Sequence, residues 1–230
     1  MTALILVAHG SRNPGAKECL DGLARAVARR LPGADDVRVA WLELVDPSLE
    51  DLCAEFAGRG IRDAVVVPLL FTEAFHRTVD LPEQVAAAEA ATGVRLDVRD
   101  GIGLGDGVRK AVVRSFLAAA GDPRDDVLLV AVGSSSAAAN DAVHAFAGEL
   151  GALLPGRVSA AFAIHGVPDL PRRPGRGVVV VPLFTAPGLL WDRVEGGVVK
   201  QGARVAQPLG DLLADVVLAR AEHGYLRACA

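Results

Sequence analysis

Two stretches decide the fold: Leu4 to Ser11, LILVAHGS, and Val127 to Ser134, VLLVAVGS. They align without a gap and agree at Leu6, Val7, Ala8, Gly10 and Ser11. Each is a short apolar run closed by Gly-Ser, the pattern of a strand buried on both faces, as in the middle of a parallel sheet. The one polar residue that separates them is His9, which faces Val132 in the alignment.

Working outward, the same order recurs. Val67 to Thr72, VPLLFT, matches Val181 to Thr185, VPLFT, one residue shorter, and Gly103-Leu104-Gly105-Asp106 matches Pro208-Leu209-Gly210-Asp211. Three matches in one order imply an internal duplication, residues 1–120 and 121–230, joined at Gly121-Asp122-Pro123. In the first copy, apolar runs predict strands at 3–8, 37–43, 64–70 and 94–98. Spacings of three and four predict helices at 15–31, 48–58 and 81–92. Asp46 before Pro47 reads as an N-cap, and Asp80 with Glu83 reads as a capping box. Strict alternation gives an α/β fold of two tandem similar halves, each a small parallel βαβαβαβα sheet flanked by helices, with right-handed crossovers. Ligands of such sheets bind beyond the carboxyl ends of the strands. A site in a cleft between the halves is the expectation, the first carrying the reactive groups and the second closing the cleft.

Composition narrows the function. The chain has 230 residues, 51% hydrophobic and 23% charged, and no apolar run nears the roughly 18 to 20 residues of a bilayer span. The segment after Met1 lacks the basic lead of a signal peptide, which predicts a cytoplasmic protein. A net charge of −4 and 4% aromatics argue against a nucleic-acid partner. Cys19, Cys53 and Cys229 form no Cys-x-x-Cys, so neither a disulfide frame nor a zinc knuckle is expected.

Three polar groups of the first copy fall where the rim of the sheet should be. His9 follows the first strand, Glu43 ends VRVAWLE, and His76 lies in the loop FTEAFHRTVD. Two imidazoles and a carboxylate suit a divalent first-row metal with positions left open, and imidazoles equally serve as bases near neutral pH. The second copy is an internal control. His9 corresponds to Val132, Glu43 to Ile164 if Trp41 matches Phe162, and His76 to Leu189 or Leu190. The scaffold repeats without these groups, so folding does not require them.

Other features are weaker. Gly101-x-Gly103-x-Gly105-x-Gly107 is not the nucleotide fingerprint, and Gly133-Ser134-Ser135-Ser136 is not a nucleophile elbow. His144 and His223 read as solvent-facing. The pairs His9-Gly10 and His165-Gly166 suggest a histidine-phosphatase alternative. That chemistry needs an arginine before the histidine, and Ala8 stands there.

Taken together, AHGS, the Leu-Glu of WLELVDPSLEDL and VVVPLLFTEAFHRTVDLP resemble the class II tetrapyrrole chelatases, specifically the sirohydrochlorin chelatases, over nearly the whole chain. The loop Glu73-Ala74-Phe75 departs from the glycine-containing stretch of many members. The resemblance implies insertion of Fe²⁺ or Co²⁺, and Ni²⁺ by the same ligand chemistry, into sirohydrochlorin for sirohaem or cobalamin. Its catalytic and metal-binding histidines fall on His9 and His76, with Glu43 as the accompanying carboxylate. No organic cofactor is implied; the metal is a substrate. Ser11, Arg12, Asn13 and Arg77, with Ser134, Ser135 and Ser136, are expected to meet carboxylates of the anionic macrocycle. Phe71, Phe75, Leu189, Leu190 and Trp191 are candidates to lie against its ring. A metal or tetrapyrrole carrier without turnover is the main alternative.

Overall fold

A computed structural model describes residues 2–31, 34–72, 80–119, 122–171 and 175–228. Two four-stranded, all-parallel sheets are present. The first has the order β2-β1-β3-β4, from Ala34–Trp41, Thr2–Ala8, Asp63–Pro68 and Arg95–Val98. The second has the order β6-β5-β7-β8, from Val158–Phe162, Asp126–Ala131, Val178–Leu183 and Arg204–Val205. The two central strands are the quoted stretches, and burial on both faces accounts for their unbroken apolar runs. Registers coincide as well: Ala8 pairs with Trp41 and Ala131 with Phe162, which aligns Glu43 with Ile164.

In the first sheet, Ala3, Ile5 and Val7 of β1 pack with Leu49, Leu52 and Phe56 of α2 (Leu49–Gly58) and Ala88 of α3 (Leu81–Thr92). The opposite face meets α1 (Pro14–Ala28) and α7 (Ala214–Ala228). In the second sheet, Leu128 and Val130 of β5 pack with Trp191, Val194 and Val198 of α6 (Leu189–Lys200). There α4 (Asp106–Ala119) lies on β7 and α5 (Ala137–Gly151) on β6.

The compact units therefore differ from the repeats. One unit is Met1–Gly103 with Leu213–Ala230, and the other is Leu104–Leu212. The division expected at 120/121 marks a repeat of sequence, whereas packing assigns α4 to the second sheet and α7 to the first. The second copy is also not a full βαβαβαβα unit. Where the first has α2, the described residues between β6 and β7 hold only the 3-10 turn Ala163–His165, followed by proline-rich chain.

Helix starts depart from expectation at two places. Ser48, not Asp46, caps α2: Ser48 Oγ accepts from Asp51 N–H at 3.1 Å and Asp51 Oδ2 accepts from Ser48 N–H at 2.8 Å. Ser48 Oγ–H also donates to Asp51 Oδ2 at 2.7 Å, and that bond, followed by the one from Ser48 N–H, holds the Asp51 carboxyl below its ordinary value. Asp80 precedes α3 without a side-chain capping bond, because its own backbone is already helical (φ −65°, ψ −45°). A cap needs an extended backbone to turn the side chain onto the free N–H groups.

Asp125 and Asp126 are buried at the start of β5. Asp126 Oδ1 accepts from Arg157 N–H at 2.9 Å, and Asp125 Oδ1 accepts from Gly177 N–H at 3.0 Å. Asp125 Oδ2 also meets the Arg204 guanidinium at 2.7 Å. These bonds fasten the starts of β6, β7 and β8 to that of β5.

Candidate functional site

The rim of the first sheet brings two of the expected groups together. Leu42 N–H donates to Ala8 C=O at 2.9 Å and Glu43 N–H to His9 C=O at 3.0 Å, prolonging the β1–β2 pairing past the last strand residues. This pairing sets the side chains side by side: His9 Nε2 lies 3.1 Å from Glu43 Oε1, with 42% and 50% of the side chains exposed. A half-exposed imidazole–carboxylate pair with open positions is a donor set for a divalent ion, and its imidazole is also placed to take a proton.

Gly10 makes this approach possible. A Cβ there would fall 2.1 Å from the Glu43 carbonyl oxygen, and φ is 134°. The chain at Glu43 then turns sharply, with Val45 N–H donating to Glu43 C=O at 2.9 Å across Leu44 at φ 69°. Neither Gly10's close approach nor the turn at Leu44 was singled out from sequence. The glycine repeats as Gly133, which is a usable signal, whereas a γ-turn lacking glycine leaves none.

His76, Phe75 and Arg77 lie outside the described residues. Among the described residues no group of three or more His, Cys, Asp or Glu side chains is arranged to hold a metal. Cys53 is buried, which pushes its thiol up to about 11 and leaves it protonated and inert.

Three of the four serines expected to meet substrate are engaged with backbone. Ser11 Oγ accepts from Asn13 N–H at 3.2 Å, and Asn13 Oδ1 caps α1 through Gly15 N–H at 2.8 Å. The second copy repeats this device: Ser134 Oγ accepts from Ser136 N–H at 3.1 Å, and Ser136 Oγ caps α5 through Ala139 N–H at 3.4 Å. Asn140 adds a clamp absent from the sequence reading, accepting from Ser134 N–H at 2.9 Å and donating to Ser134 C=O at 2.8 Å. Arg12 and Ser135 are exposed.

Of the apolar candidates, Trp191 is a correction. It is buried in the second core with its ring 5.6 Å from Phe184, because α6 turns it onto the sheet, and it has no surface for a ligand. Leu189 is exposed, while Phe71 and Leu190 are half-buried. In the second copy the counterparts of His9 and Glu43 are exposed apolar residues, Val132 at 46% and Ile164 at 48%, joined by the same backbone bond at 3.0 Å. His144 and His165 are exposed, with rings 5.2 and 6.3 Å from Phe162. The side chain of His223 lies outside the described residues.

A sirohydrochlorin cobaltochelatase of Methanosarcina acetivorans is 30% identical over 98 residues, 42% of this chain and 75% of that protein. The match to the Methanopyrus kandleri cobaltochelatase, 29% identical, spans 37% of this chain and 59% of that protein. A sirohydrochlorin ferrochelatase of Priestia megaterium is 25% identical over 210 residues, 85% of this chain and 77% of that protein. Among solved structures, SirB from Bacillus subtilis with Fe³⁺ superposes with a TM-score of 0.78 at 22% identity, over 96% of this chain and 94% of that one. That likeness is one of fold. The CbiX family matches residues 3–119, the copy that carries His9 and Glu43, and the chain belongs to the CbiX family.

Proposed function

We propose that this protein inserts a divalent metal ion, Fe²⁺ or Co²⁺, into sirohydrochlorin, with His9, Glu43 and His76 as metal ligands and the two histidines as proton acceptors. The observation that carries the reading is the His9–Glu43 pair at 3.1 Å on the rim of the copy that matches the CbiX family. The second copy, with Val132 and Ile164 there, shows that the scaffold does not need the pair.

Insertion exchanges two pyrrole N–H protons for one dication, so the macrocycle must be deprotonated and the ion stripped of water. Neutral imidazoles accept the protons as the metal–nitrogen bonds form. An incomplete shell of imidazole and carboxylate holds the ion loosely enough to pass on, where a closed tetrahedral shell would retain it. No organic cofactor enters this scheme, and it is compatible with a cytoplasmic location. Among the described residues no helix is long and apolar enough to cross a membrane.

The test is insertion followed by absorbance with Fe²⁺, Co²⁺ and Ni²⁺ in turn, on wild type, His9→Ala and His76→Ala. Many turnovers above the spontaneous rate, lost in both variants, support the reading. Stoichiometric metal or tetrapyrrole binding without turnover would instead identify a carrier.

A further inference from the structure

The turn beside the candidate site carries a residue in an unfavourable place. Leu44 is the centre of the γ-turn closed by Val45 N–H and Glu43 C=O, with φ 69°, the form of γ-turn that is rare and strained. It is the one non-glycine residue with positive φ among the described residues. Glycine would occupy this conformation without a steric penalty. Nor does burial offset the strain, since Leu44 is 54% exposed.

The second copy shows that the scaffold does not impose the arrangement. After β6 the chain enters the 3-10 turn Ala163–His165, and the positive φ falls on Gly166 at 95°. In the first copy the segment is braced into its strained form. Gln84 Nε2 donates to Leu42 C=O at 2.9 Å, Glu43 N–H is held by His9 C=O, and Trp41 N–H closes the base of the loop on Pro47 C=O at 3.0 Å. A leucine kept at positive φ, unpacked, and one residue from the metal-binding pair is a side chain held outward.

We infer that Leu44 contacts the apolar ring face of the tetrapyrrole, beside the carboxylate and imidazole that handle the metal. The inference rests on the proposed chelatase reading and adds to it a contact residue for the macrocycle. Scattered exposed leucines need no explanation. This one is distinguished by the backbone conformation that presents it.

The experiment compares Leu44→Gly, Leu44→Ala and Leu44→Met in the full chain. Metal-free sirohydrochlorin is titrated by absorbance, and insertion is measured against both substrates. Leu44→Gly should melt close to wild type, because relief of the positive φ offsets the extra freedom of glycine in the unfolded chain. Its Kd and KM for sirohydrochlorin should rise about ten-fold, the size expected for losing a buried aliphatic contact, with kcat and the KM for Co²⁺ unchanged. Leu44→Ala should behave likewise, and Leu44→Met should restore binding. Wild-type sirohydrochlorin affinity in both Leu44→Gly and Leu44→Ala overturns the assignment while leaving the chelatase reading intact. A loss confined to Co²⁺ affinity overturns it too, since the turn would then serve only to aim Glu43. Absence of turnover in the wild type overturns the chelatase reading and this assignment together.

Discussion

At the ends of β1 and β5 the same backbone carries different chemistry. Both strands finish in Ala, then a variable residue, then Gly-Ser, and both variable residues accept a backbone bond at 3.0 Å from the neighbouring strand's extension. In one copy the pair so formed is His9 and Glu43, and in the other it is Val132 and Ile164. The serine turns and helix caps that follow are preserved in both. What differs is the pair itself and the turn behind it, strained at Leu44 and relaxed into a 3-10 turn at Ala163–His165. A duplicated scaffold thus separates what folding needs from what was added to one rim.

The most forceful way to break this comparison is to remove the difference. His9→Ala should lower sirohydrochlorin metallation by about 10²–10⁴-fold, the usual range for losing a proton-transfer group. Val132→Ala, its counterpart, should leave the rate at wild type. Equal losses in both would end the argument.

The two glycines sharpen it next. A methyl at Gly10 meets the Glu43 carbonyl oxygen at 2.1 Å, whereas a methyl at Gly133 meets the side-chain atoms of Ile164 at 2.7 Å. Both positions have positive φ, so each alanine is strained. Only Gly10→Ala displaces Glu43, and it should cut insertion by about a hundred-fold, as small misplacements of reacting groups do. Gly133→Ala should lower the melting temperature and spare the specific activity of the folded protein.

Removing the buried Asp125, whose carboxylate serves Gly177 and Arg204, should cost about 3 kcal/mol. Hydrogen exchange after Asp125→Ala should quicken in β5 to β8 more than in β1 to β4. Smallest is Ser48→Ala, which removes one half of the α2 capping box and should lower the melting temperature by about 2–4 °C at neutral pH. Because Asp51 is held below its ordinary value in the folded protein, its contribution is complete above the unfolded carboxylate range. It fades as pH falls through the lower folded value, so the difference between Ser48→Ala and wild type should narrow in acid.

Much of the architecture was legible because burial on both faces writes strands as apolar runs. The pairing of Ala8 with Trp41 and of Ala131 with Phe162 matches the alignment that set Glu43 against Ile164. His9 and Glu43 each follow the end of a strand, which puts both at one rim, and their side chains lie 3.1 Å apart there. The exchange of α4 and α7 was not legible, since a repeat boundary records ancestry and packing obeys where apolar helix faces are buried. The described residues between β6 and β7, which hold no counterpart of α2, did leave a signal: Pro168 and Pro171 punctuate them. The turns closed by Ser11 and Ser134 were not legible, because a hydroxyl at a strand end reads alike whether it serves a turn or a ligand. Trp191 misled because one large aromatic at a helix start reads alike whether it faces core or surface.

The division of the chain into compact units also bears on its synthesis. Leu104–Leu212 is continuous, so that unit can complete itself as soon as its own residues have left the ribosome. The other unit is split, Met1–Gly103 on one side and Leu213–Ala230 on the other, with α7 against β1 and β3. The sheet bearing His9 and Glu43 therefore waits for α7 through the translation of the entire other unit. A nascent chain stalled before Leu213 would hold a finished second unit and a first sheet whose face still lacks α7.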